Sequence, residues 1–180
     1  MTTITTERLI LRPLDERDLD DLVVAIDNFH IVKNTARIPF PYGRKDAEDY
    51  LALTRKAAAN TLFLSVALKE EPSRVVGGIS SEGGEKDAEI GYWIAQPLWG
   101  KGYMGEAAGA MATHVFQYTE YDALVAGYRL GNEASRRILA RLGFTPTHEE
   151  MIESRGLGYL VPVMRMALSR KAWDAKGGRR

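Results

Sequence analysis

Between Thr61 and Ala95 the hydrophobic period of the chain is two, and it stays so through three short runs separated only by turns. In the first run Leu62, Leu64, Val66 and Leu68 alternate with Phe63, Ser65, Ala67 and Lys69, the spacing of a strand with one face turned inward. Glu70-Glu71-Pro72-Ser73 reads as a turn, Val75 to Ser80 as a second strand, Glu82 to Asp87 as a second turn and Ala88 to Ala95 as a third strand. Connections this short join antiparallel neighbours only, because a parallel pair needs a crossover of a dozen residues or more. The centre of the fold is therefore a β-meander, which fits a doubly wound parallel sheet badly.

The flanks add helices. Leu9-Ile10-Leu11 is a short β-like run stopped by Pro13, and Asp15 can cap a helix with Leu19, Leu22, Val23 and Ile26 on its apolar stripe. The stretch from Asn28 to Tyr42 is irregular and aromatic, and a second helix is expected from Asp46 to Ala59. Beyond the meander, Tyr103 to Tyr118 reads as a helix rich in small residues, with Met104, Ala107, Ala108, Met111 and Val115 on one face. A strand from Ala123 to Tyr128 and a helix from Glu133 to Leu142 follow, the helix closed by Gly143 in a left-handed cap. Strand, helix, strand implies a right-handed crossover and one parallel pair. Phe144 to Glu150 and Tyr159 to Leu168 form a closing hairpin. At 180 residues this makes one α+β domain over residues 1–180, with a core at about 6–168 and a frayed tail at 169–180, rich in Gly and Arg from Ala175 onward.

Composition removes several chemistries. There is no cysteine, hence no disulfide, thiolate zinc site, Fe–S cluster or cysteine nucleophile. His30, His114 and His148 are too dispersed for a local metal motif, so no metal is expected. Twenty-four basic residues balance twenty-four acidic ones, which lacks the electrostatic footprint of a nucleic-acid binder. No apolar run approaches membrane-spanning length and the start has no secretory pattern, so a soluble cytoplasmic protein with no membrane partner is expected.

The segment Gly91 to Ala107 runs from a strand through a glycine-bearing loop directly onto a helix. Backbone N–H groups at a helix start are unsatisfied and lie at the positive end of the dipole, a place suited to a phosphate or pyrophosphate. Gly100 and Gly102 permit close approach of the backbone, and Lys101 adds a point charge. The competing reading is a plain turn whose glycines serve packing. Gly100, Gly102 and Gly105 also spell G-x-G-x-x-G, but Gln96-Pro97-Leu98-Trp99 separate the strand from the first glycine, and the next strand ends on Tyr128-Arg129 rather than an acid. Nicotinamide binding is the weakest alternative.

A second segment, Gly131-Asn132-Glu133-Ala134-Ser135 through Leu142-Gly143-Phe144, completes a pattern. With Thr6-Glu7-Arg8-Leu9-Ile10-Leu11-Arg12, Ile38-Pro39-Phe40-Pro41-Tyr42, Glu89-Ile90-Gly91-Tyr92-Trp93 and Trp99-Gly100-Lys101-Gly102-Tyr103, it resembles the acetyl-CoA-dependent N-acetyltransferases of the GNAT superfamily, closest to the RimJ/RimL-type branch, over roughly Thr6 to Leu168. The resemblance implies a mixed central sheet, mostly antiparallel, with one splayed parallel pair and flanking helices. It implies that acetyl-CoA, leaving as CoA, lies between the splayed strands. Trp93, Ile94 and Ala95 would bind the pantetheine through their backbone, and Lys101, Gly102, Tyr103, Met104 and Gly105 would seat the pyrophosphate. Asn132 would reach the pantetheine and Ser135 would sit beside the sulfur. The superfamily loop usually reads Q/R-x-x-G-x-G/A; here Trp99 stands first and Met104 last.

The same resemblance assigns roles. Glu89 occupies the position of a general base for the protonated acceptor amine, against the alternative of a strand Glu paired with a neighbouring Lys or Arg. The backbone N–H of Ile94 is the expected donor to the thioester oxygen. Many relatives protonate the leaving thiolate with a tyrosine seven residues beyond Asn132, where this chain has Leu139; Ser135 is the substitute. His114 reads as an ordinary core or surface histidine, and one of Arg136, Arg137 and Arg141 can meet the adenosine phosphate. Phe29, Phe40 and Tyr42 either line the acceptor mouth or fill core beneath a long connection. The expected function is N-acetyl transfer to a primary amine, of a protein N-terminus or a small molecule, in one ternary complex; the alternative is an inactive acyl-CoA-binding module. Glu85, Asp87 and Glu89 lean toward a cationic acceptor. A monomer or a homodimer are both compatible with the chain.

Overall fold

The computed structural model describes residues 2–177. In chain order the elements are β1 (Ile4–Thr5), β2 (Leu9–Arg12), α1 (Leu19–Ile26), α2 (Phe29–Val32), α3 (Arg44–Arg55), β3 (Thr61–Leu68), β4 (Gly77–Gly83), β5 (Asp87–Ile94), α4 (Tyr103–Tyr118), β6 (Ala123–Arg129), α5 (Glu133–Leu142), β7 (Thr145–Ser154), β8 (Tyr159–Ser169) and α6 (Arg170–Ala175). The strands form one eight-stranded sheet in the order β1-β2-β3-β4-β5-β6-β8-β7. Every neighbouring pair is antiparallel except β5 and β6, which run parallel across the α4 crossover. The meander, the parallel pair and the closing hairpin are all present. The helix expected at Asp46 to Ala59 stops at Arg55, and it starts two residues earlier, because Gly43 and Asp46 cap that end through the bond from the Gly43 N–H to the Asp46 carboxylate.

Helices cover both faces of the sheet, and the period-two pattern decides which residue meets which layer. Ala88, Ile90 and Ile94 of β5 join the larger core with Met104, Ala107, Ala108, Met111, Ala112 and Val115 of α4. The small side chains of α4 let the helix lie close to the strands. A second core, built from Leu19, Leu22 and Ile26 of α1 with Ala47 and Leu51 of α3, packs on the opposite face and takes in Tyr42 and, partly, Trp93.

Two charged residues in the opening Thr6 to Arg12 stretch fasten the layers. Arg12 makes a two-pronged ion pair with Asp18, at 2.7 and 2.8 Å, and Asp18 is fully buried beside α1. Arg8 reaches the other way, to Glu106 in the first turn of α4.

The C-terminal stretch departs from the frayed tail expected at 169–180. Ser169 accepts a hydrogen bond from the Ala172 N–H and caps α6, and Trp173 stacks near Phe116, ring centres 5.9 Å apart. The Arg170 guanidinium donates to the carbonyls of Phe116, Thr119 and Tyr121. Phe116 is in the last turn of α4, where carbonyls lack helical partners, and Thr119 and Tyr121 follow it, so a basic side chain that reads as tail ties the terminus down. The last three residues of the expected tail lie outside the described residues.

Candidate active site

The parallel pair is hydrogen-bonded only from Asp87 with Ala123 to Glu89 with Val125. Beyond that rung β5 continues to Ile94 and β6 to Arg129 without pairing, and a wedge opens between them. Ala95 donates its N–H to Val76 and accepts at its carbonyl from Leu98. Strand alternation then turns the N–H of Ile94 to the opposite edge, into the wedge. The N–H of Ile94 thus faces the wedge, whereas both backbone groups of Ala95 are already engaged. The indole of Trp99, the residue that departs from the usual loop pattern, donates to the Ile94 carbonyl at 2.8 Å. Trp93 turns its ring the other way, across Gly78, where a β-carbon would lie 2.6 Å from the indole nitrogen.

Below the wedge the chain turns onto α4 through Gly100 and Gly102, at φ of 76° and 82°. Both angles fall in the left-handed region that side chains resist. Gly102 is the N-cap of α4 and has no side chain to satisfy the first turn, which leaves the N–H groups of Tyr103, Met104 and Gly105 open. A β-carbon added at Gly105 would meet nothing within 4 Å. Open donors, a positive dipole end and bare space above a helical glycine fit a diphosphate. Lys101 is exposed at the loop tip, while Met104 is buried in the core and contributes backbone alone.

The opening motif holds this loop. Thr6 Oγ1 and the Arg8 N–H donate to one oxygen of Glu106, the Arg8 guanidinium to the other, and Arg8 also reaches the Lys101 carbonyl at 3.0 Å. The Arg8 guanidinium also lies over the Tyr103 ring. Burial pushes the Glu106 carboxyl up, but the hydrogen bonds from Thr6 and Arg8 outweigh it and hold it below its ordinary value.

At the start of α5, Asn132 accepts from the Ser135 N–H at 3.2 Å and caps the helix. Ser135 Oγ lies 3.0 Å from the hydroxyl of Tyr92, on β5. Burial raises the Tyr92 phenol to about 12, against a smaller opposing effect of the Ser135 hydrogen bond. Tyr92 therefore keeps its proton at neutral pH. Leu139, where many relatives carry a tyrosine, is fully buried in the core. The sequence does not single out Tyr92 as a candidate, although it stands in the Gly91-Tyr92-Trp93 stretch; its nearness to Ser135 depends on packing between β5 and α5.

The opposite face of the wedge is a cavity of about 220 Å³. Glu89 lines it and accepts a hydrogen bond of 2.7 Å from Arg165, whose Nε also lies 3.3 Å from Glu150. The bond to Glu89 raises the Arg165 guanidinium, with burial opposing it. Arg165 reaches Glu89 across β6 because its partner in register is Gly127, where a β-carbon would sit 3.0 Å from the guanidinium. The paired-glutamate alternative weighed for Glu89 is thus what this geometry contains.

Of the three aromatics, none lines this cavity. Tyr42 is buried in the second core, where desolvation raises its phenol well above its ordinary value, so the mouth placement is replaced by the core one. Phe29 and Phe40 are exposed and meet edge-to-face, ring centres 5.6 Å apart. Tyr50 and Ile38 line the cavity instead. Glu85 and Asp87 do not line it. His114 lies beside Tyr118, its imidazole lowered by burial, and Arg136 pairs with Glu133 on the exposed face of α5. Among the described residues no cluster of His, Asp and Glu could hold a metal, and no helix is long and apolar enough to cross a membrane.

Comparison with known proteins bears on this geometry. Residues 8–145 match the acetyltransferase (GNAT) domain. The chain is 26% identical over 182 residues to p20 of Bacillus licheniformis, an uncharacterized N-acetyltransferase, across 96% of this chain and 99% of that protein. A shorter stretch of 59 residues is 39% identical to YdaF of Bacillus subtilis (strain 168), covering 33% of this chain and 32% of that one. The fold superimposes on RimL, a ribosomal L7/L12 alpha-N-protein acetyltransferase in complex with coenzyme A, at a TM-score of 0.77 and 20% identity, over 95% of this chain and 99% of that chain. The family match spans the wedge, the glycine loop and α5 together, and the chain belongs to the GNAT acetyltransferases.

Proposed function

We propose that this protein transfers the acetyl group of acetyl-CoA to a primary amine by direct attack within one ternary complex. The observation that carries this reading is the parting of β5 from β6 beyond Glu89 and Val125, directly above a loop whose helix N–H groups are open. Acetyl-CoA supplies the acetyl group activated as a thioester. The N–H groups at Tyr103, Met104 and Gly105 suit its diphosphate, with Asn132 at the edge of the wedge. The Ile94 N–H, which faces the wedge, serves in this reading as donor to the thioester oxygen on which charge develops.

Glu89 acts as the base. Its second oxygen is not used by the Arg165 bond, so the carboxylate is held in place and still has an acceptor for the amine proton, directly or through one water. Tyr92 and Ser135 form the proton source for the departing sulfur: the phenol keeps its proton, and Ser135 is the hydroxyl nearest it. This pair removes the reason for reading Leu139 as a sign of an inactive binding module. RimL, by its name, acetylates a protein α-amine, and an amine of that kind is one candidate acceptor here.

The test is CoA release from acetyl-CoA measured against a panel of primary amines. Turnover with any of them, lowered about 100-fold in Glu89→Gln at neutral pH and less at alkaline pH, supports the reading and the base. Tight acetyl-CoA binding without turnover on any amine would sink it; an unchanged pH–rate profile in the variant would remove Glu89 from the mechanism.

A further inference from the structure

We propose that the acceptor is a compact amine carrying a carboxylate or phosphate within a few bonds of its nitrogen, and that Arg129 binds that anionic group. This inference rests on the acetyltransferase reading and names its substrate class. The cavity is lined by four cations, Lys33, Arg37, Arg129 and Arg165, against two carboxylates, Glu82 and Glu89. Both carboxylates are spoken for: Arg37 pairs with Glu82 at 2.5 Å and Arg165 with Glu89 at 2.7 Å. Arg129 donates one N–H to the Lys33 carbonyl, at 2.7 Å, and among the described residues neither Arg129 nor Lys33 has a carboxylate in ion-pair range. The lining thus carries an excess of two positive charges, Arg129 and Lys33, which folding leaves without a counter-ion, while Glu150, outside the lining, faces Arg165. A half-buried guanidinium with open donors in one plane matches a carboxylate or phosphate in two-pronged geometry.

Its place in the strand ties that anion to the reaction. Glu89 pairs with Val125 on the last rung, and Arg129 lies four residues farther along β6 on the same face, level in count with Trp93 across the opening wedge. An amine that gives its proton to Glu89 would therefore have its anionic group toward Arg129, which lines the same cavity. The volume, about 220 Å³, is below the range of roughly 300 to 1,000 Å³ usual for drug-sized ligands, so the acceptor is compact. The surplus charge also works against polycationic acceptors and favours the neutral form of an incoming amine. This reverses the lean toward a cationic acceptor, which counted Glu85, Asp87 and Glu89 without their surroundings.

The experiment measures kcat/KM for CoA release with three matched acceptor pairs: alanine and alaninamide, O-phosphoethanolamine and ethanolamine, and the dipeptide amides beginning Asp-Ala and Asn-Ala. The first two pairs are compared per concentration of free base. The expected result is a preference of tenfold or more for the anionic member of at least one pair. The pair that shows it distinguishes a free amino acid, an aminoalkyl phosphate and an acidic peptide terminus as the source. That preference falls to near one in Arg129→Gln and is partly kept in Arg129→Lys, with acetyl-CoA binding in each variant reporting that it is folded. Should Arg129→Gln fail to fold, Lys33→Gln reads the same preference. Equal or better rates with the neutral member of every pair would overturn the inference while leaving the enzyme intact. So would a preference undiminished in Arg129→Gln, or a loss that falls alike on both members and marks Arg129 as a loop pin. No turnover with any amine would overturn the acetyltransferase reading, and this inference with it.

Discussion

The two faces of the wedge differ in what they present to a ligand. On the α4 side the candidate contacts are backbone: the first-turn N–H groups of α4, the Ile94 N–H, and glycines at positive φ that keep the way clear. On the α1 and α3 side they are side chains brought from seven places in the chain, the 33–38 loop, α3, β4, β5, β6, β7 and β8. Backbone recognition is set by local geometry, so it tolerates a Trp99 or a Met104 in the loop. Side-chain recognition is set by which charges meet, so one substitution there changes the charge that the cavity presents. The same opening strand serves both: Arg8 braces the first face through Glu106, and Arg12 braces the second through Asp18.

The contrast can be strained at several points, the largest effect first. Asp18→Ala leaves the Arg12 guanidinium, itself largely buried, without its partner, and should cost about 3 kcal/mol. For a chain of this size that is a fall in Tm of roughly 6 to 12 °C. Because the pair braces the acceptor face, melting with and without acetyl-CoA should show the cofactor-induced rise largely kept. Loss of that rise would mean the two faces are not separable.

Tyr92→Phe tests the proton source. It removes one hydroxyl 3.0 Å from Ser135 and should lower kcat about tenfold with little change in acetyl-CoA affinity. An unchanged kcat would assign the Tyr92–Ser135 pair to packing. Gly105→Ala carries a prediction of two signs. A helical Gly replaced by Ala should stabilise the free protein by up to about 1 kcal/mol, since nothing blocks the new methyl. If the bare space is the seat of the diphosphate, acetyl-CoA affinity falls about tenfold in the same variant; calorimetry and a melting curve read the two halves separately.

The smallest effect is the pH dependence of the Glu106 brace. Its folded carboxyl is held below the ordinary value, so the stabilisation is complete above the unfolded carboxylate pKa and is lost as pH falls through the lowered folded one. Glu106→Gln should therefore melt lower than the wild type near neutrality, and the gap should close in acid. A gap that widens in acid would reverse the sign assigned here.

Much of the architecture was legible because it rests on short-range rules. Period two over Thr61 to Leu68, small residues on one face of α4 and Gly143 as a left-handed cap each follow from a few adjacent residues. The glycine loop was legible for the same reason, since Gly100 and Gly102 declare the backbone they adopt. Illegible were the pairings that join distant stretches. Glu89 reads as a strand acid, and nothing adjacent to it foretells Arg165, 76 residues on, reaching it over Gly127. Tyr42 stands in an aromatic stretch that looks like a mouth, yet α1 and α3 close around it. Arg170 looked like tail and caps α4.

What the sequence determined alone is the order of strands and helices, the loop that opens onto α4, and the family pattern, because backbone propensity and spacing are written in neighbouring residues. What only the tertiary structure decided is the charge lining the cavity beside Glu89 and the identity of the hydroxyl beside Ser135. Both depend on which side chains remain unpaired after the chain has folded, and that balance is struck between residues scores of positions apart.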